Sequence, residues 1–457
     1  MIEQTSEPGP YNRGALSNLI DRFSAQGRRL LLRYVPFGPA QSRPSTSVVP
    51  VDAMTELART LLSVRGEASG VAIATDLLAL YERSEPSARH AFFLALAEQF
   101  NPDPAGLLAS WNRYQTEGAC ALPELAEAVE APRQELFRRL NLAPLGTQAL
   151  VRMRADLLGA IKKYPELKVV DVDLIHLLRS WFNRGFLTLR PITWSSPASL
   201  LERIIRYEAV HNISSWADLR SRIDPEDRRC FAFFHPAMPD EPLIFVEVAL
   251  TLEMADSIQA LLAADRPVLP ASSAEMAIFY SISNCQPGLH GISFGHFLIK
   301  QVAGDLKREL PGLSRFATLS PVPGLMPWLR STTDGPEQQA LVARLEDGSE
   351  DPAAQAFLMR RTFAYFMEER RANGMPLDPV ARFHLGNGAR LERINWRGDL
   401  SANGLRQSAG VMVNYLYDLQ RIEEYHEAYA NRHEVIVGPP IREAAKALSS
   451  PTKSRKR

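Results

Sequence analysis

Residues 276–284 read Met276-Ala277-Ile278-Phe279-Tyr280-Ser281-Ile282-Ser283-Asn284, Cys285–His296 follow with glycines at 288, 291 and 295, and Phe297-Leu298-Ile299-Lys300 runs on toward Arg308. The first block is apolar, aromatic and β-branched, and predicts a buried strand. The last has apolar residues at spacings of three and four, and predicts a helix. The loop between them, Gln286-Pro287-Gly288-Leu289-His290-Gly291-Ile292-Ser293-Phe294-Gly295, is too rich in glycine for either. Glycines permit positive φ and close backbone approach, and the helix N-terminus behind them offers unpaired N–H groups that suit a pyrophosphate. The letters fit neither the Walker loop nor the dinucleotide fingerprint. A tight strand-to-helix turn without a ligand fits them equally well.

Working outward, the texture changes near Thr188. Before it, residues 51–66, 74–100 and 122–142 carry apolar residues at helical spacing between proline-marked turns, with Asp52 and Ser84 where N-caps would sit. A further helix over 172–186 leads into the next domain. After it, Leu187–Trp194 alternates, and Cys230–Glu253 reads as two strands about a Pro-Asp-Glu-Pro turn. Phe316–Leu329 is a short strand leading into a proline-bracketed segment, 334–373 is helical, 381–400 is mixed, and Leu405–Ala430 reads as one long helix. The expected architecture is therefore an N-terminal helical bundle domain, 1–188, followed by an α/β or α+β domain, 189–457, built on one mixed sheet. Seven of the nine histidines fall in the second part, which is where chemistry is sought.

Composition narrows the function classes. The 457 residues hold 52 Lys plus Arg and 52 Asp plus Glu, a formal net charge of zero. That gives no overall field for gripping a phosphate backbone, so nucleic acid is not an expected partner. At 46% hydrophobic and 23% charged the chain is neither disordered nor fibrous. Cys120, Cys230 and Cys285 are scattered and odd in number, against a disulfide framework and for a reducing compartment. No apolar run reaches the roughly 18 residues of a membrane helix, and Met1–Gly14 lacks a secretory h-region. A cytoplasmic protein without membrane contact is expected, and its basic tail, Pro451–Arg457, reads as solvated.

Four further patterns are candidates for chemistry. Ser320, in Leu319-Ser320-Pro321-Val322-Pro323-Gly324, has no GxSxG elbow around it, and serine before proline is also a good N-cap. His384, in Phe383-His384-Leu385-Gly386-Asn387-Gly388, is a candidate general acid beside glycines that allow close approach to a ligand, or a hydrogen-bonded structural histidine. Glu208 and His211 form E-x-x-H, one helical face if helical, but no second copy exists for a di-metal site, and His290 and His296 lack a carboxylate partner nearby for zinc. Arg390, Arg393 and Arg397 around Trp396 offer a phosphate-binding face or a solvated one paired internally to Glu392 or Asp399.

Several blocks together resemble the malonyl-CoA decarboxylase family, as a bacterial member. They are Asp173–Trp181, Tyr207–His211, Glu241–Leu243, Phe279–Ser283, Phe297–Lys300, Leu319–Gly324, Arg393–Trp396 and Asn414–Tyr417, in order over roughly 170–425. The resemblance implies a carboxy-lyase that converts malonyl-CoA to acetyl-CoA and carbon dioxide without biotin, metal or other cofactor. It implies a helical domain used for self-association as dimer or tetramer, and a catalytic domain with the fold of GCN5-related N-acetyltransferases. It further implies that His290, Gly291, Ile292, Ser293, Phe294, Gly295 and His296 bind the CoA substrate, and that Ser320 and His384 are catalytic and also bind substrate. Animal members carry glutamate where this chain has Ser293, so no side-chain role is carried over to Ser293, and the backbone role of the loop is unaffected. Lys300, Lys307 and the arginines near Trp396 are candidates for the adenosine end. Decarboxylation leaves an enolate, so the site must stabilise an oxyanion and then protonate carbon; His384 suits the second task, with Ser320 as positioner. An acyltransferase using the same CoA cradle, or a CoA-binding scaffold, are the alternatives.

Overall fold

The change of texture near Thr188 corresponds to a change of architecture. The computed structural model describes residues 51–64, 66–292, 298–348 and 350–443. The chain divides into two compact units. One takes in the described residues up to Ser180 together with Pro287–Gly291; the other takes in Trp181–Gln286 and the described residues from Ile292 onward.

The first unit is helical: α1 (Val51–Ser63), α2 (Glu67–Arg83), α3 (Pro86–Gln99), α4 (Pro104–Glu117), α5 (Leu122–Val129), α6 (Pro132–Asn141), α7 (Gly146–Ile161) and α8 (Lys168–Trp181). Proline at the first position of α3, α4 and α6 starts each helix where its missing N–H has no cost. The predicted N-caps are corrected. Asp52 lies inside the first turn of α1, and Ser84 ends α2, its hydroxyl turned back to the carbonyl of Leu80. Leu77, Phe92, Phe137, Leu150 and Leu174 are fully buried and form the core of this unit.

The second unit is the mixed sheet that the alternation predicts. Its strands are β1 (Thr188–Ile192), β2 (Arg228–Phe234), β3 (Ile244–Thr251), β4 (Met276–Asn284), β5 (Arg315–Thr318), β6 (Ser320–Pro321), β7 (Arg390–Asn395) and β8 (Met412–Tyr417). β1 to β4 pair antiparallel in sequence order, β4 and β5 pair parallel, and β5 and β6 pair antiparallel with one side of β8 while β7 takes the other. The helices are α9 (Ala198–Tyr207), α10 (Trp216–Ile223), α11 (Ile258–Leu262), α12 (Leu298–Glu309), α13 (Leu325–Ser331), α14 (Pro336–Glu346), α15 (Pro352–Met367), α16 (Pro379–Gly386), α17 (Ala402–Ser408) and α18 (Ile422–Arg432). Ile204, Leu219, Ala232 and Phe245 anchor one apolar cluster between α9, α10 and the sheet, and Ile258, Met276, Ile278 and Leu319 anchor a second under α11.

Two features of this sheet place the site. The parallel register of β4 and β5 runs from Met276↔Arg315 to Phe279↔Thr318, and β4 then continues to Asn284 with no β5 residue beside it. Leu319 N still donates to Phe279 O at 3.0 Å, and from Ser320 the chain pairs with β8. The other feature is β8 itself, which corrects the long helix read over Leu405–Ala430. α17 stops at Ala409 and Gly410, both at positive φ, 50° and 81°. Met412–Tyr417 then enters the sheet, buried along nearly its whole length. A strand covered on both faces loses the alternation that separates it from a helix.

Candidate active site

Ser320 and His384, 64 residues apart, meet: Ser320 Oγ lies 3.1 Å from His384 Nε2. Ser320 belongs to β6 and does not cap a helix; α13 begins only at Leu325, so the N-cap reading is corrected. β geometry puts residues i and i+2 on one face, so Thr318 and Ser320 point the same way. Ser320 Oγ donates to Thr318 Oγ1 at 2.8 Å, and Thr318 Oγ1 accepts the Tyr415 backbone N–H at 3.1 Å.

His384 is delivered by α16, whose start and end are both fixed. Asp378 Oδ1 accepts from Ala381 N at 2.7 Å and caps the N-terminus, with Pro379 next. At the other end Gly388 turns at φ 80°, and a Cβ there would stand 2.2 Å from Ile422 O. Gly388→Ala is therefore expected to lower stability by roughly 2–4 kcal/mol, from backbone strain plus the clash. A denaturant midpoint indistinguishable from that of the parent chain would count against this reading of the turn.

The imidazole is nearly inaccessible, at 3% exposure. His384 Nδ1 is 2.8 Å from Tyr417 OH, and the ring stacks on Tyr415 at 4.6 Å and 24°. Burial pushes His384 down to about 3, so the ring is neutral near pH 7 and carries one proton. A serine hydroxyl has a single hydrogen, and that of Ser320 is given to Thr318, so Ser320 accepts from His384. The hydrogen-bond network thus assigns the proton to Nε2, and Nδ1 accepts from the Tyr417 hydroxyl. Thr318, Tyr415 and Tyr417 were not predicted as site residues. The two-residue spacing of Thr318 to Ser320, and of Tyr415 to Tyr417, is the signal that finds them once strands are assigned.

The other predicted residues divide between the two units and the residues outside the description. His290 and Gly291 belong to the helical unit, where Arg154 Nη1 donates to the carbonyls of Gly288 at 2.6 Å and His290 at 2.9 Å. Gly288 is required there for packing, since a Cβ would fall 1.8 Å from Val151 O, whereas Gly291 is required by its φ of 78°. Ile292 is buried in the second unit. Ser293, Phe294, Gly295 and His296 lie outside the described residues.

Glu208 and His211 are not on a helix: α9 ends at Tyr207. The Glu208 carboxylate accepts the N–H groups of Val210 and His211 and the hydroxyls of Ser281 and Ser283, tying this loop to β4. His211 is pushed down to about 4 by burial. Both line a separate cleft of about 680 Å³, with Arg222, Gln259 and Asp399, to which neither Ser320 nor His384 contributes. Among the described residues no group of three or more His, Cys, Asp or Glu is placed to hold a metal ion.

The candidate cations are engaged. Arg390 pairs with Glu392 at 2.6 Å, Arg393 donates to Asn414 Oδ1 and Met254 O, and Arg397 holds Gly348 O and Glu350. Lys300 pairs with Glu423, and Lys307 donates to Pro311 O.

A buried imidazole whose proton is placed against a strand-borne hydroxyl is an arrangement capable of acid–base chemistry, and it lies on the mixed sheet of the second unit. Residues 185–456 match the malonyl-CoA decarboxylase C-terminal domain, and residues 100–182 match the corresponding N-terminal domain. The mitochondrial malonyl-CoA decarboxylase of Rattus norvegicus is 33% identical over 87% of this chain and 92% of its own. The solved malonyl-CoA decarboxylase of Rhodopseudomonas palustris is 50% identical with a TM-score of 0.82, over 86% of this chain and 100% of that one. That of Agrobacterium vitis is 49% identical with a TM-score of 0.81, over 87% and 100%. The chain belongs to the malonyl-CoA decarboxylase family. No helix among the described residues is long and apolar enough to cross a membrane.

Proposed function

We propose that the chain decarboxylates malonyl-CoA at the Ser320–His384 pair, one malonyl-CoA and one proton giving one acetyl-CoA and one carbon dioxide. The 3.1 Å contact between Ser320 Oγ and His384 Nε2 carries the reading. Breaking the bond to the carboxylate leaves an enolate, whose carbon is a far stronger base than imidazole. A neutral ring with its proton on Nε2 is then a competent donor, because the acceptor is so basic. The Tyr417 hydroxyl at Nδ1 stabilises the ring as the proton leaves, and solvent restores it. Ser320 accepts from Nε2 and orients the ring toward the position where carbon is protonated. Hydroxyl and N–H donors aimed at the thioester oxygen would stabilise the enolate. The loop from His290 to His296 and the start of α12 are our choice for the CoA phosphates, by backbone N–H groups.

Incubation with malonyl-CoA and no amine acceptor tests the reaction. Acetyl-CoA and carbon dioxide in equal amounts are expected. Product formed only on adding an amine would favour the acyltransferase, and tight CoA binding without turnover would favour a scaffold.

We also propose self-association, as dimer or tetramer, through the helical unit. Leu108, Trp111, Leu122 and Val129 on α4 and α5 are exposed apolar side chains on that unit. We place the protein in the cytoplasm, in keeping with the free thiols Cys120, Cys230 and Cys285.

A further inference from the structure

We infer that Thr318 is the positioning residue of the site: its hydroxyl takes the single proton of Ser320 and so keeps the His384 proton on Nε2. The inference rests on the assignment of Ser320 and His384 proposed above. Two observations on the sheet carry it.

The first is an interruption of the ladder. β5 pairs with β8 at Phe316↔Tyr417 and Ala317↔Leu416, and the same register resumes in β6 at Ser320↔Val413. Counting along it, Thr318 stands opposite Tyr415, where two backbone groups would ordinarily bond to each other. Instead the Tyr415 N–H goes to Thr318 Oγ1 at 3.1 Å, and Asn414 Nδ2 donates to Thr318 O at 2.7 Å. Asn414 is itself fixed: Nδ2 also donates to Ala255 O, and Oδ1 accepts from Arg393 and Asn395. The Thr318 hydroxyl therefore sits in a frame of fixed donors, with no solvent access.

The second observation is the direction of the bonds. The Tyr415 N–H occupies one lone pair of Thr318 Oγ1, and the Ser320 proton occupies the other at 2.8 Å. Remove the Thr318 oxygen and the Ser320 proton has one remaining partner among its described contacts, His384 Nε2. The ring then accepts at Nε2 and carries its proton on Nδ1 toward Tyr417, where it faces no substrate. Thr318 touches neither reacting atom; it acts by choosing which ring nitrogen is protonated.

Thr318→Val keeps the shape and removes the oxygen, and Thr318→Ser keeps the oxygen. In Thr318→Val, kcat is expected to fall about tenfold to a hundredfold with KM within about threefold of the parent, the scale that misplacement of a catalytic group produces. Thr318→Ser should recover most of that loss. In a Ser320→Ala background, Thr318→Val should lower kcat no further, because its effect passes through Ser320. An equal loss in both backgrounds would mean that Thr318 only supports the sheet, and would overturn the inference. Full turnover in Thr318→Val alongside a crippled Ser320→Ala would overturn it while leaving the site assignment standing. Full turnover in Ser320→Ala would remove the site assignment itself. Should Thr318→Val fail to fold for want of a partner to Tyr415 N–H, Thr318→Ala leaves room for a water there, and the same comparisons apply.

Discussion

His384→Ala is expected to release carbon dioxide from malonyl-CoA on the order of a hundredfold more slowly than the parent chain, or worse, because a positioned acid contributes at least that much. Coenzyme A binding should persist, since the ring is buried and is not among the groups proposed for the phosphates. Carbon dioxide release and CoA binding are measured on the same preparation, and full turnover would withdraw the assignment. The pH dependence has a defined sign. Burial holds His384 down to about 3, well below its ordinary range near 6.5, so turnover should not decline between pH 6 and 8 through loss of its proton. Stability behaves differently. Below about pH 6.5 an unfolded chain binds a proton at this histidine and the native chain does not. Stability is thus fully present above that value and is lost as pH falls toward about 3. His384→Ala should flatten this limb of the stability profile.

Ser320→Ala is expected to lower kcat on the order of a hundredfold, the scale of losing one oriented polar group at a reacting centre. The deletion strands the Nε2 proton of His384 and the lone pair of Thr318 that the Ser320 hydroxyl had filled. The ring then keeps Tyr417 and the Tyr415 stack but loses the contact that aims it. The protein should still fold, because the bond from the Tyr415 N–H to Thr318 Oγ1 and the backbone pairing of Ser320 with Val413 do not use the Ser320 hydroxyl. kcat and the thermal midpoint are read together. A parent-like rate with a lowered midpoint would reduce Ser320 to a structural residue of β6.

Part of the second unit is legible in the sequence. The strand at Met276–Asn284 and the helix that follows were plain, because each has a single period and an unambiguous composition. Local pattern makes Ser320 and His384 candidates with ordinary structural alternatives, since a serine before proline also caps helices, and the family resemblance is what implies catalytic roles for them. What was hidden has physical causes. β8 passed for helix because burial on both faces erases alternation, and with β8 went the roles of Tyr415 and Tyr417. Thr318 was hidden because its importance lies in a cross-strand register that no local window contains. The glycine-rich loop was read as one object. Gly288 instead meets α7 of the helical unit, a distinction set by a packing distance at Val151.

Pairing between strands is normally indifferent to which residues supply it, because every residue but proline offers the same N–H and C=O. One rung of this sheet is different. Opposite Tyr415 the bonding is done by the hydroxyl of Thr318 and the amide of Asn414. A step of the scaffold is thus written in side chains and can be erased by substitution. Asn414→Asp alters one heavy atom yet turns a donor to two carbonyls into an acceptor facing them. Drift that the neighbouring rungs would absorb in silence is felt here, beside the pair proposed for the chemistry.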